Sequence, residues 1–168
     1  MIKKILSKSF IISSLLVFST FLLDRLSKIY VIFLDNKFFG SEIFSSKFLN
    51  ISLIWNEGIA FGLLSFNEKI FYNLLTFIIL VITLIIFFMV LKSYGLKKYS
   101  FLMILGGALG NVYDRIFYGA VPDFIDFHIG NFHWFIFNVA DIFITLGVIF
   151  MIIIEITGNN KNKKHEIF

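Results

Sequence analysis

Four long apolar stretches alternate with shorter polar segments along this chain, at about residues 10–34, 70–91, 101–118 and 134–156. A helix that crosses a bilayer needs roughly 20 mostly apolar residues, so each stretch is expected to be one. The third is short, and its span is set at 100–118. The polar segments are patterned too. In 49–55, Leu49, Ile51, Leu53 and Trp55 alternate with Asn50 and Ser52, the period of a half-buried strand. In 123–129, Ile125, Phe127 and Ile129 alternate with Phe124, Asp126 and His128, and the Gly130-Asn131 pair after them is a turn signal. The chain is expected to fold back there through Phe132 and His133. Ser65-Phe-Asn-Glu68 reads as a capping box opening the second span. The expected fold is therefore an all-α integral membrane protein: a four-helix transmembrane bundle with a small β-sheet on its outer face. It forms one domain over 1–168, with outer segments 35–69 and 119–133 and a disordered, basic tail from 158.

Composition strengthens the membrane reading. Of the 168 residues, 58% are hydrophobic, against about 45–50% in soluble domains, and mean hydropathy is +0.89. The net charge of +4 would suit nucleic acid, but its distribution argues against that partner. Lys3, Lys4 and Lys8 precede the first span, Lys92, Lys97 and Lys98 fall between the second and third, and Lys161, Lys163 and Lys164 follow the fourth. Segment 35–69 sets three lysines against Asp35, Glu42, Glu57 and Glu68, and 119–133 has no Lys or Arg. The positive-inside rule then places both termini and the 92–98 turn in the cytoplasm. The first span is too long for a cleavable signal peptide and lacks a small-residue cleavage site, so it is expected to be retained. Without cysteine there is no disulfide, thiolate metal site or cysteine nucleophile.

Within the apolar stretches stand residues that lipid disfavours. Asn111, Asp114 and Arg115 share one helix face at i, i+3 and i+4, and so do Asn138, Asp141 and Thr145. A central Asp costs about 2.5–3.5 kcal/mol on the insertion scale, while each large apolar residue returns about 0.3–0.6. The fourth span can absorb that, yet a neutral residue would insert better, so Asp141 marks a functional site. Counted from Trp134 as an interfacial aromatic, Asp141 would lie about 10 Å along the helix. The bland alternative is a polar clamp, with Asn138 and Asp141 bonded to Asn111 or Arg115 and Asp114 paired with Arg115. Asp24 and Lys28 stand at i, i+4 in the first span, as a structural or a functional pair, and Arg25 is free to snorkel. His128 and His133 lack the spacing of a metal motif and read as structural or interfacial. With Asp123 just beyond the third span, the carboxylates point to acid–base chemistry at a membrane surface.

Five ordered blocks carry a resemblance: Asp24-Arg-Leu-Ser-Lys28, Asn56-Glu-Gly-Ile-Ala-Phe-Gly62, Gly106-Gly-Ala-Leu-Gly-Asn-Val-Tyr-Asp-Arg115, Val121-Pro-Asp-Phe124 and Phe137-Asn-Val-Ala-Asp141. Over essentially its whole length the chain resembles the lipoprotein signal peptidase (signal peptidase II) family. The resemblance implies an aspartic endopeptidase of the bacterial inner membrane. Such an enzyme removes signal peptides from diacylglyceryl-modified prolipoproteins, cutting on the N-terminal side of the lipidated cysteine. It implies Asp123 and Asp141 as the catalytic pair, and Asp24, Asn56, Asn111, Arg115 and Asn138 as substrate-binding or supporting residues. Asp114 is implied as structural, supporting Arg115 and the helix end. It further implies a monomer acting on lipidated prolipoproteins among membrane lipid, with no cofactor, metal or nucleic acid. Two departures are Pro122, where Val or a similar residue is usual, and Arg25-Leu-Ser, where Gln-x-Thr is commoner.

Other classes fit less well. A channel or proton-coupled transporter also uses intramembrane carboxylates, but an outer-edge dyad gives it no path inward. No G-x-S-x-G or H-E-x-x-H occurs, and the Gly-x-Gly-Asp that would partner Tyr113-Asp114 in a presenilin-like protease is absent. A purely structural membrane protein leaves the carboxylates unexplained.

Overall fold

The computed structural model describes residues 8–58 and 69–165. In chain order it contains helix α1 (Lys8–Lys37), strands β1 (Phe44–Ser45) and β2 (Leu49–Asn56), helices α2 (Lys69–Lys92) and α3 (Gly95–Phe117), strands β3 (Val121–Ile129) and β4 (Phe132–Phe137), and helix α4 (Val139–His165). Ser65–Glu68, expected to cap the second span, lies outside the described residues, as do 59–62 of the Asn56–Gly62 block.

Helix α3 is the hub, packing against α1, α2 and α4. Its face toward the bundle is glycine-rich because neighbouring helices come close. A Cβ on Gly107 would stand 2.5 Å from the Ala140 carbonyl oxygen of α4, and one on Gly110 would strike the Asp24 carboxylate of α1. Small residues let membrane helices approach in this way. Below them Val90, Phe101, Leu102, Ile104 and Leu105 form a buried apolar cluster. Elsewhere the usual distribution is inverted. Large apolar side chains of α1, α2 and α4 face outward, while Asp24, Arg25, Lys28, Asp114, Arg115 and Asn138 are buried. That is the arrangement a lipid surround selects.

Among the described residues, three helices are long and apolar enough to cross a membrane: Lys8–Lys37, Ile70–Lys92 and Val139–Thr157. The remaining expected span, 100–118 in α3, has the length but carries Asn111, Asp114 and Arg115 near its end and is not among the three. Three boundaries differ from expectation. Helix α3 starts at Gly95, not at 100. Helix α4 starts at Val139, not at 134, since Trp134–Phe137 belong to strand β4 and pair with β3. At its far end the backbone stays helical to His165 instead of becoming a disordered tail at 158.

The sheet is antiparallel in the order β1-β2-β3-β4. Its hairpin turns where Gly130-Asn131 requires it, with Gly130 at a φ of 59° that suits glycine. Pro122 pairs with Trp55 of β2 but precedes the first β3–β4 pair at Ile125, so one flank of β3 tolerates a residue without an N–H there. Strand β3 carries the alternating stretch 123–129, buried toward its start and exposed toward its end. Phe124 and Asp126 are buried, whereas Phe127 and Ile129 are exposed. With Phe48, Phe132, Trp134 and Phe137 they line an open apolar groove.

Candidate active site

The site begins in α1. Asp24, Arg25 and Lys28 point inward and meet Asp114 of α3, giving two buried carboxylates against two buried cations. Lys28 Nζ lies 2.9 Å from Asp24 Oδ1 and 2.6 Å from Asp114 Oδ2. Arg25 donates to Asp24 at 2.9 Å and pairs with Asp114, with its guanidinium 4.8 Å from the centre of the Tyr113 ring. Charges this enclosed persist only when matched, and removing one leaves its partner buried and unpaired. Arg25 therefore does not snorkel. Asp114 serves Arg25 and Lys28, not Arg115 as expected, whose Nη2 donates instead to the Gly58 carbonyl at 2.7 Å.

Above this network, α4 begins with a closed N-terminus. The first N–H groups of a helix have no intrahelical partner, and here each of two finds a side chain. Asn138 Oδ1 accepts from the Asp141 N–H at 3.1 Å, and Asp141 Oδ2 accepts from the Asn138 N–H at 3.2 Å. This is the reciprocal logic of a capping box. Asp24 Oδ1 accepts from the Ala140 N–H at 3.0 Å, tying α4 to α1. Asp24 is fully buried, and its oxygens are occupied within the protein.

Asn138 also joins two carboxylates. Its Nδ2 donates to Asp123 Oδ1 at 2.6 Å, while its backbone N–H holds Asp141. Asp123 Oδ2 accepts from Asn56 Nδ2 at 2.8 Å, and Asn56 Oδ1 closes an Asx turn on the Gly58 N–H at 2.8 Å. Asp141 Oδ1 accepts from Asn111 Nδ2 at 2.8 Å. Strand β3 thus delivers Asp123, and the first turn of α4 delivers Asp141, to one cluster. Burial pushes the Asp123 carboxyl up to about 6, and the charge of Asp141 pushes the same way, against the lowering by Asn56, Asn138 and Lys28. Two coupled carboxyls of this kind can share a proton, one giving and one taking.

Asp24, Asn56, Asn111, Arg115, Asp123, Asn138 and Asp141 therefore lie in a single connected region, with Asp114 beneath it. Sequence reasoning left Lys28 out of that set. Its signal was present, since an Lys in an apolar stretch, four residues from an Asp, needs a buried partner as well as a snorkelling path. The two histidines make contacts of their own. His133 Nδ1 meets Asp126 Oδ2 at 2.8 Å and the His128 ring stacks on it at 5.0 Å. Among the described residues no group of three or more His, Cys, Asp or Glu could hold a metal ion.

Comparison with known proteins bears on the family. The family model described as signal peptidase (SPase) II matches residues 16–157. The chain is 48% identical over 158 residues to a lipoprotein signal peptidase of Pelagibacter ubique, covering 94% of this chain and 95% of that one. It is 40% identical over 141 residues to one of Francisella tularensis subsp. novicida, covering 80% and 87%. A solved structure described as a bacterial membrane enzyme superposes with a TM-score of 0.69 at 30% identity, covering 90% of both chains. A second, also described as a bacterial membrane enzyme, gives 0.64 at 33% identity, covering 84% of this chain and 90% of that one. On this match of model, sequence and fold, the chain belongs to the signal peptidase II family.

Proposed function

We propose that this protein is an aspartic endopeptidase that removes signal peptides from diacylglyceryl-modified prolipoproteins, cutting on the N-terminal side of the lipidated cysteine. It works as a single-domain monomer in the bacterial inner membrane, with four spans, both termini cytoplasmic and the site toward the outer face. The lysine distribution supports that orientation. The observation that carries the reading is the pairing of Asp123 and Asp141 through Asn138.

In this reading Asp123 carries the proton at the start of the cycle, held between the amide groups of Asn56 and Asn138. Asp141 is the base, placed in the first turn of α4, where the helix N-terminus favours a negative group. Asp141 takes a proton from water as the oxygen attacks the scissile carbonyl, and Asp123 gives its proton to the carbonyl oxygen. As the tetrahedral adduct collapses, Asp141 passes its proton to the leaving nitrogen, Asp123 recovers one from a hydroxyl, and the C–N bond breaks. No cofactor enters these steps. Asn56 and Asn138 hold Asp123, and Arg115 pins Gly58 beside them.

The test is incubation of the purified protein with a diacylglyceryl-modified prolipoprotein and mass analysis of both products. Cleavage next to the lipidated cysteine is the expected result. Cleavage elsewhere, or none by a folded preparation, would overturn the proposal.

A further inference from the structure

Lys28 has 1% relative exposure, the largest of the fully buried side chains among the described residues. Its Nζ lies 2.6 Å from Asp114 Oδ2, 2.9 Å from Asp24 Oδ1 and 2.8 Å from Asn111 Oδ1. An ammonium has three donors and no acceptor, so these contacts use it completely. The third is the informative one. Charge balance explains the two carboxylates, but an amide oxygen adds nothing to it.

That contact dictates which way Asn111 faces. Because Lys28 can only donate, Asn111 must offer it the carbonyl oxygen, and the amide NH₂ then points the other way. There Nδ2 donates to Asp141 Oδ1 at 2.8 Å. Reversing the amide would set NH₂ against an ammonium and an oxygen against a carboxylate, unfavourable at both ends. Arg25 reaches Asp24 and Asp114, but it is Lys28 that carries the link to Asn111.

We propose that Lys28 is a positioning residue for peptide hydrolysis, acting through Asn111 to hold the Asp141 carboxylate in one orientation. This rests on the assignment of Asp141 to the catalytic pair. Lys28 touches neither substrate nor the reacting atoms. Its contribution is to the rate of the chemical step rather than to the capture of prolipoprotein.

Removing Lys28 alone leaves Asp24 and Asp114 with only Arg25, and such a variant can fail to fold. The test therefore uses an Asp114→Asn background, in which Asp24 and Arg25 still balance. Lys28→Met and Lys28→Gln are compared there, both neutral, but only Gln able to donate to Asn111 Oδ1. With lipidated prolipoprotein at saturation, the Met form should fall about tenfold or more in kcat per folded molecule, as expected for a misplaced catalytic group. Its KM should stay within about threefold, and the Gln form should recover most of the rate. Equal kcat for the two forms would overturn the proposal. If the Met form does not fold, Lys28→Arg decides in the wild-type background. Arg keeps the charge, but its rigid fork cannot set one nitrogen on Asp24, Asn111 and Asp114 together. A loss of about tenfold in kcat is then expected, and full kcat would overturn the role. Failure of the dyad assignment is read separately: Asp141→Asn would then cleave at the wild-type rate, whatever Lys28 does.

Discussion

Replacing Asn138 by Ala removes two bonds at once, and their costs can be separated. The side-chain oxygen caps α4 at the Asp141 N–H, 3.1 Å away, and loss of such a cap costs about 1 kcal/mol. The side-chain nitrogen donates to Asp123 Oδ1 at 2.6 Å, and a buried hydrogen bond of this type, removed without replacement, costs about 1.5–3 kcal/mol. Together the loss is about 2.5–4 kcal/mol, which for a chain of this size lowers Tm by about 5–15 °C. Turnover should fall about tenfold or more, because Asp123 loses one of the two donors that orient it. Asn138→Ser divides the effects. A serine oxygen can cap the helix, recovering about 1 kcal/mol, but it is too short to reach Asp123, so the rate stays low. Thermal unfolding in detergent and kcat on lipidated prolipoprotein, measured on both variants, check this. A variant Asn138→Ala that melts and turns over like the wild type would refute the reasoning, as would full recovery of rate by Ser.

Further expectations follow from the same contacts. Folded Asp123 holds its proton to about 6 against an ordinary 3.8, so between those values the folded state binds more protons and stability falls as pH rises. The loss is at most about 3 kcal/mol; Asp123→Asn should remove it, and parallel unfolding curves for variant and wild type from pH 4 to 7 would contradict this. Asp114→Asn should lower stability by about 3 kcal/mol by unbalancing Arg25 and Lys28, with a smaller effect on rate per folded molecule. Inactivity of well-folded Asp114→Asn alongside an active Asp123→Asn would mean that the dyad has a different member. Unmodified prolipoprotein should be cut far more slowly than the lipidated form at saturation in one detergent, since the lipid sets the depth of the scissile bond, and positioning can supply several kcal/mol. Equal maximal rates would exclude that role.

Much of this site was legible in the chain because lipid makes polar residues conspicuous. Asp141, Asn138, Asn111 and Asp114 stand out against apolar neighbours, and their helical spacing already grouped them. Strands β2 and β3 and the turn at Gly130 were legible from period and turn chemistry. The start of α4 was not, because Trp134–Phe137 is as apolar as the helix it precedes, and a continuous apolar run does not distinguish strand from helix. The Asn138-x-x-Asp141 cap was the available signal. The partners of Lys28 on α3 are 83 and 86 residues away in sequence, a pairing that only the packing of α1 on α3 reveals.

The central claim is that Asp123 and Asp141 carry the chemistry together, in different protonation states. Turnover of lipidated prolipoprotein by Asp123→Asn and by Asp141→Asn, each at wild-type amounts of folded protein in the membrane, tests it most directly. Neither variant should cleave, because an amide can neither hold the proton that Asp123 donates nor accept the one that Asp141 takes. Comparable turnover by either variant would contradict the account.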